Sequence, residues 1–173
     1  MNPPRAMSGF SLLEVIVAAG IFAGSVTLGI ALLAGLVRQA GEIDARLTAR
    51  RLPDAIAGEL QRLAAGGFDA FASQVPELGN PLGAGLALVA GIDGTEVQSV
   101  SYRPATGPRL RVTDQYYLVE CWRYPAEPLR FESGQGSLAL HVRISWPYHI
   151  PGSLRAVPPA ERSELAFPIA LNR

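Results

Sequence analysis

The stretch FSLLEVIVAAGIFAGSVTLGIALLAGLV, residues 10–37, is apolar throughout except for one carboxylate, Glu14. It is long enough to cross a bilayer as a helix, which takes about 20 apolar residues. Glu14 lies near the start of this segment. A carboxylate within such a segment is costly, of order 2.5–3.5 kcal/mol if it is centrally placed, so Glu14 is a candidate functional residue that needs a partner. Gly20 and Gly24 have the spacing that allows close helix packing in lipid, although glycine is common in membrane helices generally.

Beyond residue 37 the pattern changes from apolar to amphipathic. Apolar residues recur mostly every three or four positions and charged residues fill the others, which predicts a helix with one buried face. Pro53 removes one backbone donor and predicts either a kink near Arg50 or the first turn of a second helix. Gly66 and Gly67 predict the end of the helix. The predicted buried residues are Leu36, Ala40, Ile43, Leu47, Leu52, Ile56, Leu60 and Leu63.

The rest of the chain has the composition of a loop followed by short strands. Residues 68–85 are predicted to be a loop because glycine, proline and asparagine are frequent there. An Asp93-Gly94 pair predicts the turn of a first hairpin. Val142 and His141 are expected on opposite faces of a clearly alternating strand, and Pro168 predicts an edge position for the last strand. Strands are expected at residues 86–90, 96–102, 115–124, 137–146 and 164–171, with a turn at 104–108 and a hairpin extension at 110–112.

These elements predict an α+β fold in which a long N-terminal helix, first transmembrane and then amphipathic, packs on an antiparallel β-sheet. The length suffices for one globular domain beyond the membrane segment. The expected organisation is a leader at residues 1–9, a transmembrane helix at 10–37, an amphipathic helix at 38–65 and a β-rich globular domain at 66–173.

The N-terminus carries a family resemblance. A nine-residue leader ending in Gly9, then Phe10-Ser11-Leu12-Leu13-Glu14-Val15 and an apolar helix, resembles the start of a type IV prepilin or type II secretion pseudopilin. The resemblance covers about the first thirty residues and implies a pilin-like fold. It implies that a prepilin peptidase cuts after Gly9 and methylates the new N-terminal Phe10. It also implies that Glu14 pairs with the amine of Phe10 on a neighbouring subunit, as buried charges must be paired.

A secretory signal or a plain membrane anchor fits the N-terminus less well. A secretory signal needs an apolar core of about 7–15 residues and a small-residue cleavage site, for which Ala19 is the nearest candidate. The apolar segment is longer than that, and Glu14 would lie inside the core. A plain single-pass anchor accounts for the length of the segment but for neither Glu14 nor the Gly9-Phe10 junction.

The function that the resemblance implies is structural: a minor pilin or pseudopilin subunit of a type IV pilus or type II secretion filament. Cys121 is the only cysteine, so the chain cannot form the intramolecular disulfide of many pilins, which favours a minor subunit. The implied partners are the prepilin peptidase, other pilin or pseudopilin subunits, inner-membrane lipid and the inner-membrane assembly platform. The implied location is the inner membrane, crossed once with the soluble domain in the periplasm, and afterwards a periplasmic pseudopilus or extracellular pilus.

One alternative is a binding minor pilin whose exposed loops contact a surface, DNA or a secretion substrate. Arg103, Arg109 and Arg111 are candidates for a surface basic patch that would contact phosphates. A solvated hairpin, partly neutralised by Asp114 and Glu96, is the competing interpretation. The formal net charge is zero, which gives no general argument for nucleic acid as a partner.

A membrane-anchored enzyme is the third class, and the sequence offers no catalytic constellation for it. The only histidines, His141 and His149, do not form a metal-ligand spacing with Cys121. Neither a phosphate-binding loop nor a nucleophile elbow is present. Residues 93–96 have oxygens that would suit calcium, as in some pseudopilins, but they lack alternating acidic ligands and favour a turn. We therefore expect no enzyme activity and no cofactor.

Overall fold

A computed structural model describes residues 11–78, 85–100 and 110–173 and has the α+β fold that the sequence predicts. The chain divides after Ile43 into two compact units. In chain order the elements are α1 (Leu12–Ala64), α2 (Phe68–Gln74), β1 (Leu86–Ala90), β2 (Val97–Ser99), β3 (Tyr117–Arg123), β4 (Ser137–Trp146) and β5 (Ser163–Asn172), with 3-10 turns at Val112–Asp114 and Pro159–Glu161.

The first unit contains the apolar part of α1. Every side chain from Ser11 to Val37 is exposed, including large aliphatic ones such as Leu12 and Leu28. Burying such a continuous apolar surface requires a bilayer or other helices. In the described residues α1 is the one helix that is long and apolar enough to cross a membrane.

The second unit begins at Asp44 and is built on a five-stranded antiparallel sheet of order β2-β1-β3-β4-β5. The C-terminal part of α1 packs on one face of this sheet. The predicted alternation of β4 is confirmed, because Leu140, Val142 and Ile144 are fully buried while His141 faces the other side. The shared core of helix and sheet includes Leu52, Ile56, Leu60, Leu88, Tyr117, Val119, Leu138, Leu140, Val142 and Ile144.

The buried stripe of α1 differs from the predicted one over its first turns. Ile43 and Leu47 were expected to be buried, but both are exposed, and burial begins at Ala45 and continues at Ala49. Alanine allows the helix backbone to lie close to the sheet, and the Tyr117 hydroxyl donates a hydrogen bond to the Ala45 carbonyl at 2.9 Å. Leu36 and Ala40 are likewise exposed. From Leu52 onwards the prediction is confirmed at Leu52, Ile56 and Leu60.

Pro53 lies inside α1, which continues without a break to Ala64, so the prediction of a second helix starting at Pro53 is wrong. Proline removes the donor that would bond the Ala49 carbonyl. The full burial of Leu52 and Ile56 on either side supplies tertiary packing that holds the helix across this position. The helix ends just before Gly66 and Gly67, as predicted.

Two short elements were predicted wrongly. Residues 68–74, expected to be a loop, form α2, which buries Phe68, Phe71 and Ala72. Those residues have the i, i+3, i+4 spacing of an amphipathic helix, a signal that the neighbouring glycines and prolines obscured. The proposed hairpin extension at residues 110–112 is not a strand, because Val112 begins a 3-10 turn.

The strand predictions are otherwise confirmed to within a few residues. β1 and β4 have the predicted bounds, and the Asp93-Gly94 turn joins β1 to β2 with Gly94 at φ +67°. The end of the predicted second strand and the turn at 104–108 lie outside the described residues. β5 lies at the edge of the sheet, as Pro168 predicted. The Arg173 amide donates to the Gly136 carbonyl, next to β4. Backbone groups alternate in direction along a strand, so those of even-numbered residues such as Pro168 point away from β4, where no donor is needed.

Candidate functional site

The candidate assembly residue Glu14 lies in the first turn of α1, which Ser11 caps. The Glu14 amide donates to the Ser11 side-chain oxygen at 3.2 Å and to the Ser11 carbonyl at 3.0 Å. A serine followed three residues later by glutamate is the sequence pattern of a capping box, which satisfies otherwise unpaired helix donors. This cap was not predicted, although the Ser11-x-x-Glu14 spacing indicates it. The observed bond uses the backbone amide of Glu14 and so does not depend on the Glu14 side chain.

The residues next to Glu14 in the sequence are apolar, and in the structure they are exposed. Leu13, Val15 and Ile16 next to it are more than half exposed, and Glu14 itself is exposed. No ion pair to Glu14 is present within the described residues. If this surface enters lipid or a helix bundle, the carboxylate loses its water and needs a cation or strong donor.

The other predicted site residues are only partly described. Gly9, Phe10, Arg103 and Arg109 lie outside the described residues. Arg111 is described, and its Nε donates to Asp114 Oδ2 at 2.9 Å. This hydrogen bond is the main cause that lowers the pKa of Asp114. Arg111 is therefore an exposed cation whose charge is balanced by Asp114.

In the turn that was considered for calcium, the Asp93 carboxylate accepts hydrogen bonds from the turn itself. Asp93 Oδ1 accepts the Thr95 amide at 3.2 Å, and Asp93 Oδ2 accepts the Thr95 hydroxyl at 2.8 Å. These hydrogen bonds lower the pKa of Asp93. A Cβ on Gly94 would lie 2.7 Å from Thr48 Cγ2, so glycine is required where the turn meets α1. Across residues 11–78, 85–100 and 110–173, no three His, Cys, Asp or Glu side chains are grouped to hold a metal ion.

The two histidines and the cysteine occupy separate environments. His141 lies on the outer face of the sheet, in register with Trp122, and its ring centroid is 6.1 Å from that of Trp122. His149 is buried and lines a cavity of about 290 Å³ at one end of the sheet. Cys121 is fully buried on the inner face, and burial raises the pKa of its thiol to about 12. A thiol in this state is a poor nucleophile.

The outer face of β3 and β4 carries a cluster that the sequence did not indicate. Arg143 donates to Glu120 Oε2 at 2.7 Å, and its guanidinium lies 5.0 Å from the centroid of the Trp122 ring. The indole is almost fully buried although it is on the outer face. These contacts depend on the β3–β4 register, with Glu120 opposite Arg143 and Trp122 opposite His141. Arg143 and Glu120 pair with each other, so we assign the cluster a structural role.

Comparisons with protein-family models, with curated proteins and with solved structures gave no match. The functional argument therefore depends on the residues of this chain. Among the described residues, the feature with the clearest functional implication is Glu14, a carboxylate in an exposed apolar helix that continues into a packed α+β domain.

Proposed function

We propose that this protein is a subunit, most simply a minor one, of a type IV pilus or type II secretion filament. One observation carries the proposal: an uninterrupted helix joins an exposed apolar segment bearing a single carboxylate to a domain with its own core. This arrangement suits a subunit that is stored in a membrane and then packed by its helix against other subunits. The Gly9-Phe10 junction directly before the helix supports processing by a prepilin peptidase.

The proposed assembly contact joins Glu14 of one subunit to the methylated amine of Phe10 on a neighbour. In a bundle of apolar helices both charges lose their hydration, and each offsets the cost of burying the other. An ionic hydrogen bond of this kind also fixes the axial position of one helix against the next, because a shift of one turn leaves both groups unpaired. The domain that begins at Asp44 would then lie on the outside of the filament.

This proposal gives the protein a location and a set of partners. Before assembly it would cross the inner membrane once, with the soluble domain in the periplasm. The prepilin peptidase, the assembly platform and other pilin or pseudopilin subunits would contact it in sequence. The described part of the candidate basic patch, Arg111, is balanced by Asp114, so we do not extend the proposal to nucleic acid.

The capping role of Ser11 allows a test that separates the effect of the Glu14 charge from that of the helix cap. In cells that carry the assembly machinery, incorporation into sheared filaments is compared for three variants of the full-length chain. Glu14→Gln keeps the Ser-x-x-Gln capping pattern and removes the charge. Glu14→Ala removes the charge and the side-chain oxygens but keeps the backbone amide that Ser11 caps, and Ser11→Ala removes the cap and keeps the charge. Processing and membrane content are measured for each variant.

If the ionic contact drives assembly, Glu14→Gln and Glu14→Ala lose incorporation several-fold while Ser11→Ala retains most of it. Membrane insertion persists in all three, since the two Glu14 variants remove a charge from the apolar helix and Ser11→Ala replaces a polar side chain with an apolar one. If Glu14→Gln assembles like the unmodified protein and Ser11→Ala does not, the helix cap made by Ser11 is needed for assembly and the charge of Glu14 is not. Normal incorporation of Glu14→Ala would refute the assembly contact altogether.

A further inference from the structure

One end of the sheet lies close to the point where α1 enters the second unit. The Tyr117 hydroxyl at the start of β3 donates to the Ala45 carbonyl at 2.9 Å. The β1–β2 turn meets the same part of the helix, since Gly94 packs directly against Thr48. The start of β3 and this turn therefore contact α1 at Ala45 and Thr48, within about one helical turn of Asp44.

Chain length limits how far this end can lie from the apolar segment. The residues that connect Val37 to Asp44 are few, and they span at most about 25 Å even when fully extended. A membrane that contained residues 10–37 would thus hold this end of the domain within a short distance of its surface. Such a tether gives weak surface contacts a high effective concentration.

Large apolar side chains are exposed at this end of the domain. Ile92, Val112, Ile150 and Leu154, which we call the apolar rim, are 60%, 46%, 43% and 74% exposed. They belong to three segments that meet around the 290 Å³ cavity, which Ile92, Thr113 and Pro151 help to line. The Gly152 amide donates to the Thr113 carbonyl at 3.2 Å and joins two of these segments.

The polar groups near the apolar rim suit a lipid headgroup region. Residues 147–160 contain Arg155 and no acidic residue, and arginine pairs well with phosphate. Tyr148 and Tyr116 are partly exposed, and tyrosine is enriched at membrane–water interfaces. Three carboxylates also lie near this end. Arg111 balances the charge of Asp114, whereas Asp93, which accepts two hydrogen bonds from Thr95, and Asp44 keep their negative charges.

We propose that the apolar rim contacts the lipid–water interface of the membrane that anchors the chain, before the subunit enters a filament. The inference rests on the membrane anchoring in the proposed function and not on filament assembly. The occupant is lipid because the tether holds the rim near the bilayer and because aliphatic, tyrosine and arginine side chains occur together there. Contact would orient the domain on the membrane surface and cover the exposed rim while the subunit is stored.

Site-directed spin labelling of the full-length chain in vesicles tests the proposal. Leu154→Cys carries the label at the apolar rim, and the native Cys121 stays unlabelled because it is fully buried. Leu129→Cys is the matched control, an exposed leucine in the connection between β3 and β4 at the opposite end of the sheet. Leu28→Cys reports on the apolar segment. The vesicles contain phosphatidylethanolamine with phosphatidylglycerol, and the protein is kept dilute in the lipid so that subunits do not meet.

For each label the accessibility to lipid-soluble oxygen is compared with that to a water-soluble nickel chelate. We expect the oxygen-to-nickel ratio at residue 154 to exceed that at residue 129 several-fold, with residue 28 fully in lipid. Equal, water-like ratios at 154 and 129 with residue 28 in lipid would overturn the rim contact and leave the anchoring intact. Protection of residue 154 from both reagents would indicate a protein partner and would also overturn it. A water-exposed residue 28 would refute the anchoring and the rim contact together.

Discussion

Tyr117 provides a quantitative test of the packing of α1 on the sheet. Its side chain is fully buried, its hydroxyl donates to the Ala45 carbonyl at 2.9 Å, and its ring centroid is 6.0 Å from that of Trp146. Tyr117→Phe removes the hydroxyl and keeps the ring. The Ala45 carbonyl still accepts the Ala49 amide within the helix. The Thr48 side chain, which also interacts with this hydroxyl, is only half-buried and can bond water instead, so no buried group is orphaned. We therefore expect a loss of about 1 kcal/mol, the net value of one hydrogen bond, rather than about 3.

The measurement is urea unfolding of a fragment of residues 38–173, which contains the whole second unit and its core. Tyr116→Phe is the matched control, because the Tyr116 hydroxyl has no hydrogen bond in the part of the chain that the structure describes, and we expect a change within about 0.5 kcal/mol. If Tyr117→Phe is as neutral as the control, the hydroxyl does not reach Ala45, and the position of α1 on the sheet is wrong at this point.

Two further predictions concern the same fragment. Val142→Asp places an unpaired carboxylate in the core and loses the burial of a valine, so it should lower the free energy of unfolding in urea by more than about 4 kcal/mol. The control Ala166→Asp, on the exposed side of the neighbouring strand, should change it by no more than about 0.5 kcal/mol. Equal losses would mean that the faces of the sheet are reversed. The fold raises the pKa of Tyr117 from 10.0 to about 12 and that of Cys121 from 9.0 to about 12, so the folded state retains protons that the unfolded state releases. Stability should therefore fall as pH rises from about 9 towards 12, and Cys121→Ala should flatten the first part of that fall; an unchanged slope would show that the thiol does not contribute.

The architecture was predictable where the apolar pattern had a clear period. The alternation of β4 placed Val142 in the core and His141 outside it, and Pro168 identified an edge strand, because these properties depend only on the period of a strand and the missing donor of proline. The long helix followed from a continuous apolar segment and an amphipathic one. Its buried stripe could not be placed over the first turns, because Ala45 and Ala49 are weak hydrophobic signals beside Ile43 and Leu47.

The contacts of the candidate sites depended on tertiary structure. The Trp122–Arg143–Glu120 cluster requires the register between two strands, which no local pattern specifies. The apolar rim requires three segments distant in sequence to meet at one end of the sheet. The Ser-x-x-Glu spacing was sufficient to predict the cap formed by Ser11. The apolar residues around Glu14 instead favoured an interpretation based on its charge alone.

The N-terminus of the mature protein tests the central claim most directly. The full-length chain is produced together with a prepilin peptidase, extracted from membranes and analysed by intact and tandem mass spectrometry, with Gly9→Leu as the control that should remain uncut. We predict a chain that begins at Phe10 and carries one methyl group on its N-terminal amine. A protein that retains Met1 in the presence of active peptidase, or one that is cut near Ala19, would contradict the assignment to the type IV filament family.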